Sequence, residues 1–99
     1  MRLSKKVVQR VGDRLGVNWD AVSIETLQYG MCIEFEHGYV DPRTNVTNNN
    51  LNKTALIALA HIVEYPDYYA RLKRMEASAA KYWKGKRRPK VFLPRKKIK

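Results

Sequence analysis

From Val7 to Trp83 the apolar residues of this chain recur three and four positions apart, and no strand stands out against that period. Side chains at i, i+3, i+4 and i+7 share one face of a helix, whereas a half-buried strand repeats every two residues, so the pattern predicts an all-α fold. Breaks in the pattern divide it into four candidate helices. Val7, Val8, Val11 and Leu15 make the first stripe, with Ser4 placed to cap its start and Gly16-Val17 to stop it. After the connector "NWDAVS", Ser23 can cap a second helix whose stripe is Ile24, Leu27, Met31 and Phe35 and which ends at Gly38. Gly30 sits inside that helix at a cost of about 1 kcal/mol relative to Ala, which is offset if it lets a neighbour approach closely.

Tyr39 to Asn50 holds Pro42 and a run of Asn and Thr, residues suited to turning and capping, with Thr47 or Asn48 the expected cap of the next helix. The third helix, "LNKTALIALAHIVEY", is apolar on most faces and is expected to be the central, buried one. Pro66 ends it, and Asp67 is a natural N-cap for a fourth helix. Its stripe runs through Tyr68 or Tyr69, Leu72, Met75, Ala79 and Tyr82 or Trp83. At that spacing these aromatics read first as core and only second as stacking surfaces for bases.

Ninety-nine residues, 44% of them apolar and 29% charged, suit one soluble domain with a single modest core. The longest apolar run, "ALIALA", is far short of a membrane span, and "MRLSKKVVQR" carries no apolar segment behind its charges, so neither membrane insertion nor secretion through a signal peptide is expected. A single cysteine, Cys32, between Met31 and Ile33, reads as a small core hydrophobe in an intracellular or intravirion setting.

The net charge of +11 is unevenly placed. Residues 84–99, "KGKRRPKVFLPRKKIK", hold nine Lys or Arg and no acid, which leaves eleven basic against nine acidic residues before them. The organisation expected is a near-neutral helical domain, 1–83, followed by an extended basic arm, 84–99, which Gly85, Pro89 and Pro94 keep from being helical. Lys84, Lys86, Arg87, Arg88, Lys90, Arg95, Lys96, Lys97 and Lys99 are the candidate contacts to phosphate or to a protein partner. Phe92, within "VFLP", adds an apolar contact that a purely phosphate-binding tail does not need.

Two polar clusters remain. Glu34 and His37 lie three apart near the end of the second helix, and His61 and Glu64 lie three apart on the third, followed by Asp67, Tyr68 and Tyr69. Paired Glu-x-x-His helices also build metal sites in bundle cores, but those sites need further glutamates from the other two helices, which offer only Asp13, Asp67 and Glu76. The reading adopted is a structural hydrogen-bond network of Glu34, His37, His61, Glu64, Asp67, Tyr68 and Tyr69, with a bound metal second and catalysis third. No cofactor is expected. The chain has no Gly-rich phosphate loop, no paired-Cys zinc pattern and no serine elbow, and "DPRTNVTNNN" lacks the spacing of a calcium loop.

The run "EFEHG", then the Thr/Asn-rich turn, then "ALAHIVEYPDYY" and "LKRME", resembles a family of small proteins of unknown function found in tailed phages, bacteria and large DNA viruses. The shared positions are Gly30, Glu34, Glu36, His37, Ala58, His61, Glu64, Pro66, Asp67, Tyr68, Tyr69, Leu72, Met75 and Glu76, and the likeness spans about residues 10–76. The resemblance implies a compact helical domain in which the two clusters act together, and it carries no assigned activity. Combined with the arm, it leads to the expectation of a non-enzymatic structural protein. The form expected is a minor virion component, capsid-lining or core-associated, whose arm grips viral structural proteins. A small non-specific DNA- or RNA-binding protein is the alternative, and a metal-binding helical domain the third reading.

Overall fold

The computed structural model describes residues 3–40, 42–45 and 47–91, with side chains for all of these except 37–40 and 42. Four helices follow in order: α1 (Lys5–Leu15), α2 (Ile24–Val40), α3 (Leu51–Glu64) and α4 (Tyr68–Trp83), with a short 3-10 turn at Pro42–Thr44. No strand is present among the described residues, and none of their helices is long and apolar enough to cross a membrane.

The helix ends follow from local chemistry. Ser4 Oγ accepts from the Val7 N–H at 3.2 Å, and Ser23 Oγ accepts from the Thr26 N–H at 3.0 Å, so both serines cap as the sequence predicts. Gly16 takes the left-handed conformation at φ 81°, and the Val17 N–H returns to the Gly12 carbonyl at 2.9 Å, closing α1. At α3 the expected cap shifts. Asn48 and Asn49 occupy left-handed backbone at φ 51° and 63°, a conformation asparagine tolerates, and this turn delivers Asn50 to the cap position. The Asn50 side chain accepts from the Lys53 N–H at 2.9 Å, so neither Thr47 nor Asn48 is the cap. Asp67 precedes α4 without capping it; its carboxylate reaches forward to Arg71 Nε at 2.8 Å instead.

The core is Leu3, Val8, Val11, Leu27, Met31, Ala55, Ala58, Ile62 and Tyr69, with Phe35 also buried. Its hub is α2, which packs against α1, α3, α4 and the 3-10 turn. This corrects the expectation for α3. One face of that helix, built from the small residues Thr54, Ala55 and Ala58 together with Ile62, lies against α2, while Leu56 and Val63 on the other side are 52% and 83% exposed. Small side chains let the two axes approach closely, and the buried Thr54 hydroxyl is satisfied by the Asn50 carbonyl at 2.8 Å. The "NWDAVS" connector is also more than a spacer. Trp19 packs against Gly12, which has no Cβ to hold it off, and its indole N–H donates to Asp13 at 2.8 Å.

The fourth helix departs furthest from expectation. Of its predicted stripe only Tyr69 is buried, and Tyr68 and Leu72 pack partly against the core. Met75 and Tyr82 are 56% and 61% exposed, and from Lys73 onward no residue of the helix is buried. Sixteen residues make a helix about 24 Å long. Among the described residues only its first turns join the core, so the rest of α4 projects from the body.

The capping assignment gives a direct test. Asn50→Ala removes the acceptor at the start of α3 and should lower unfolding stability by about 1 kcal/mol in urea titration, whereas Asn48→Gly, which suits the left-handed backbone there, loses no cap bond.

Candidate functional site

Where α2, α3 and the start of α4 meet, their polar groups converge on one carboxylate. Tyr69 Oη donates to Glu34 Oε2 at 2.7 Å, and His61 Nδ1 lies 3.2 Å from Tyr69 Oη and 3.3 Å from Glu34 Oε2. Tyr69 has one hydroxyl proton, and the carboxylate takes it. With that proton committed, the short approach of His61 Nδ1 to the Tyr69 hydroxyl is met by a hydrogen on Nδ1. Tyr68 lies parallel to the imidazole, ring centroids 4.4 Å apart at 8°, while Tyr69 meets both rings edge-on. The Glu34 side chain is 9% exposed and the His61 side chain 33%.

Tyr69 is the keystone of this cluster. Burial first, then the adjacent Glu34 carboxylate and Tyr68, push its hydroxyl far above the ordinary phenol range, so it remains a donor across the whole physiological window. Its ring is seated by Gly30. A Cβ at that position would lie 2.6 Å from Tyr69 Cε2, and the ring is tethered at its far end by the bond to Glu34. On the opposite side the Tyr69 ring meets Tyr29 edge-on at 6.2 Å. The two tyrosines form the floor of an open groove of about 410 Å³, walled by Glu25, Thr26, Pro66, Asp67, Ala70 and Lys73. Lys73 Nζ sits 5.9 Å from the Tyr29 ring centroid. Glu25 faces Lys5 at 3.0 Å, a hydrogen bond that holds its carboxyl below the usual range.

The sequence-derived cluster is thus divided. Glu34, His61, Tyr68 and Tyr69 come together. Glu64 is exposed and outside the network, and Asp67 is exposed and paired with Arg71. The His37 side chain lies outside the described residues. Among the described residues no three His, Cys, Asp or Glu side chains converge as metal ligands. Within the network the hydrogen-bonding capacity of Tyr69 Oη and His61 Nδ1 is spent on Glu34 and on each other. That closure suits a brace across three helices.

The other assembly of chemistry lies at the far end of α4. Tyr82 and Trp83 meet edge-on at 5.3 Å, and Trp83 is part-buried outside the core. Gly85, at φ 74°, turns the chain so that the Lys86 N–H donates to the Trp83 carbonyl at 2.9 Å. Lys86 Nζ then lies 3.4 Å from the Tyr82 ring centroid. Lys84, Lys86, Arg87, Arg88 and Lys90 are all exposed, while Phe92, Arg95, Lys96, Lys97 and Lys99 lie outside the described residues. Sequence reasoning ranked these aromatics as core because their spacing is helical. The signal that opposed it was the excess of cations around them: residues 68–91 hold nine Lys or Arg and one acid, Glu76, whereas residues 1–67 hold seven basic and eight acidic residues.

Compared with known proteins, the chain matches over residues 8–78 the model of a family described as "Protein of unknown function (DUF5661)". No curated protein and no solved structure matches it significantly.

Two outcomes test the brace. Gly30→Ala should destabilise the fold despite the better helix propensity of alanine, because overpacking against a tethered ring costs about 1–3 kcal/mol; a urea midpoint at or above that of the natural chain would contradict the seating. Tyr69 keeps its proton in the folded chain beyond the pH, about 10, at which an unfolded tyrosine loses it. Its contribution to stability is therefore complete below that pH and is lost as pH rises toward the folded value, since the unfolded state then holds fewer protons than the native one. The fall in unfolding midpoint above pH 10 should be steeper in the natural chain than in Tyr69→Phe.

Proposed function

The chain belongs to the DUF5661 family, and from its own geometry we propose that it is a non-enzymatic structural module of a nucleoprotein assembly, held in place by the basic segment that begins on α4. The observation that carries this reading is the separation of charge and packing. Through Asp67 the chain is a packed body with seven basic against eight acidic residues; from Tyr68 to Val91, nine cations against one acid lie on a projecting helix and the chain that follows. Cations held clear of a body are suited to neutralising an anionic surface without reading its sequence. The polar cluster at Glu34 serves in this reading as the brace from which α4 is launched. A place as a minor virion component, lining a capsid or associated with its core, rests on the resemblance of "EFEHG" and "HIVEYPDYY" to a family with viral members, and is tested by looking for the chain in purified particles.

The direct test is a titration of the full chain against mixed-sequence duplex DNA at several salt concentrations, beside a variant carrying Lys84→Gln, Lys86→Gln, Arg87→Gln, Arg88→Gln and Lys90→Gln. The natural chain should bind with affinity that falls steeply with salt. The variant should bind weakly with unchanged helical content, its log-log salt slope flatter by about 0.9 for each phosphate contact removed. Equal binding by the two proteins would remove the basis of the proposal.

A further inference from the structure

We propose that Tyr82 and Trp83 form a stacking platform for the bases of single-stranded nucleic acid, with Lys86 and its neighbours holding the backbone. This rests on the reading that the basic segment is the gripping surface, and it names what is gripped. Both rings stand off the core: Tyr82 is 61% exposed, and Trp83, part-buried, packs edge-on against it at 5.3 Å. Among the described residues neither ring belongs to the core or packs against it, so both are available to a partner. Their setting selects the partner. Lys81, Lys84, Lys86 and Arg87 lie within five residues of one ring or the other, and the nearest acid, Glu76, is six residues before Tyr82.

The turn at Gly85 is what converts a charge run into a site. It brings Lys86 Nζ to 3.4 Å from the Tyr82 ring centroid, a cation over an aromatic face held by the bond from the Lys86 N–H to the Trp83 carbonyl. With Lys86 over one face, Tyr82 is still 61% exposed, and an exposed ring joined to a cation matches the two halves of a nucleotide, a flat base and a phosphate. Paired bases in a duplex already stack on one another and present only their edges, so the platform is open only to unpaired bases. An acidic protein surface would engage the same cations but offers no planar group to the rings.

The probes are a short oligothymidylate, an abasic oligonucleotide of the same length, which keeps the phosphates and lacks the bases, and polyglutamate. Each is titrated against the full chain and its Tyr82→Ala and Trp83→Phe variants. The natural chain should bind oligothymidylate on the order of tenfold more tightly than the abasic strand, with quenching of tryptophan fluorescence that Trp83→Phe abolishes. Tyr82→Ala should remove most of that margin and leave abasic binding unchanged; both rings are off the core, so both variants should fold. Equal affinity for the thymidylate and abasic strands, without quenching, would overturn the platform while leaving the charge-based anchoring of the preceding section intact. Binding of polyglutamate alone among the three would overturn the platform too and redirect the basic segment to an acidic protein surface. Loss of affinity for all probes in Tyr82→Ala would mean that the ring only orients Lys86, and would overturn it as well.

Discussion

One hydrogen bond fixes how this small protein is put together: the Tyr69 hydroxyl on the Glu34 carboxylate, 2.7 Å long and largely shielded from water. Tyr69 is the only buried residue of α4, so this contact sets where the fourth helix starts relative to α2. It depends on Gly30, whose missing side chain is the space the ring occupies, and on His61, which from α3 places Nδ1 3.2 Å from the Tyr69 hydroxyl and 3.3 Å from the same carboxylate. A carboxylate withdrawn from water is costly unless its oxygens are engaged, and here Oε2 meets polar groups from two other helices. Removing either partner leaves part of that cost uncompensated, so the three helices are joined by a mutual requirement as well as by apolar packing.

Much of the fold was legible because it rests on local rules. Ser4, Ser23 and Gly16 act at helix ends through their own backbone neighbours, and the stripes of α1 and α2 bury Val8, Val11, Leu27, Met31 and Phe35 as their spacing predicts. The third helix was misjudged because composition alone does not say which apolar face has a neighbour. Leu56 and Val63 are as hydrophobic as Ile62, yet α2 approaches through the alanines, where there is room for it. The Asn50 cap depended on two successive left-handed residues, a property of the whole turn rather than of any one position.

The site was legible in the same measure. The meeting of Glu34 with His61 followed from pairing two Glu/His helices, and Gly30 hinted at a close approach. That Tyr69 would stand between them, with Tyr68 laid over the imidazole, depended on the sharp turn at Pro66 and had no signature in spacing. Glu64 shares a helix with His61 three positions away, but three residues subtend about 300° around a helix axis, enough to leave one side chain at the junction and the other in solvent. The stripe that ends at Tyr82 or Trp83 reads as core only by a rule that assumes a helix has something to pack against along its whole length.

That α4 is secured only by its first turns has a consequence for how the sequence can change over time. Residues from Lys73 to Val91 carry no buried side chain, so substitutions there meet few of the packing requirements that constrain α2, and the family match stops at residue 78, before Lys81 and the aromatic pair. Foldability is thereby lodged in one part of the chain and exposed chemistry in another. Such a division lets a lineage exchange the projecting end for one suited to a different partner while inheriting the same braced body, since the two halves answer to separate physical demands.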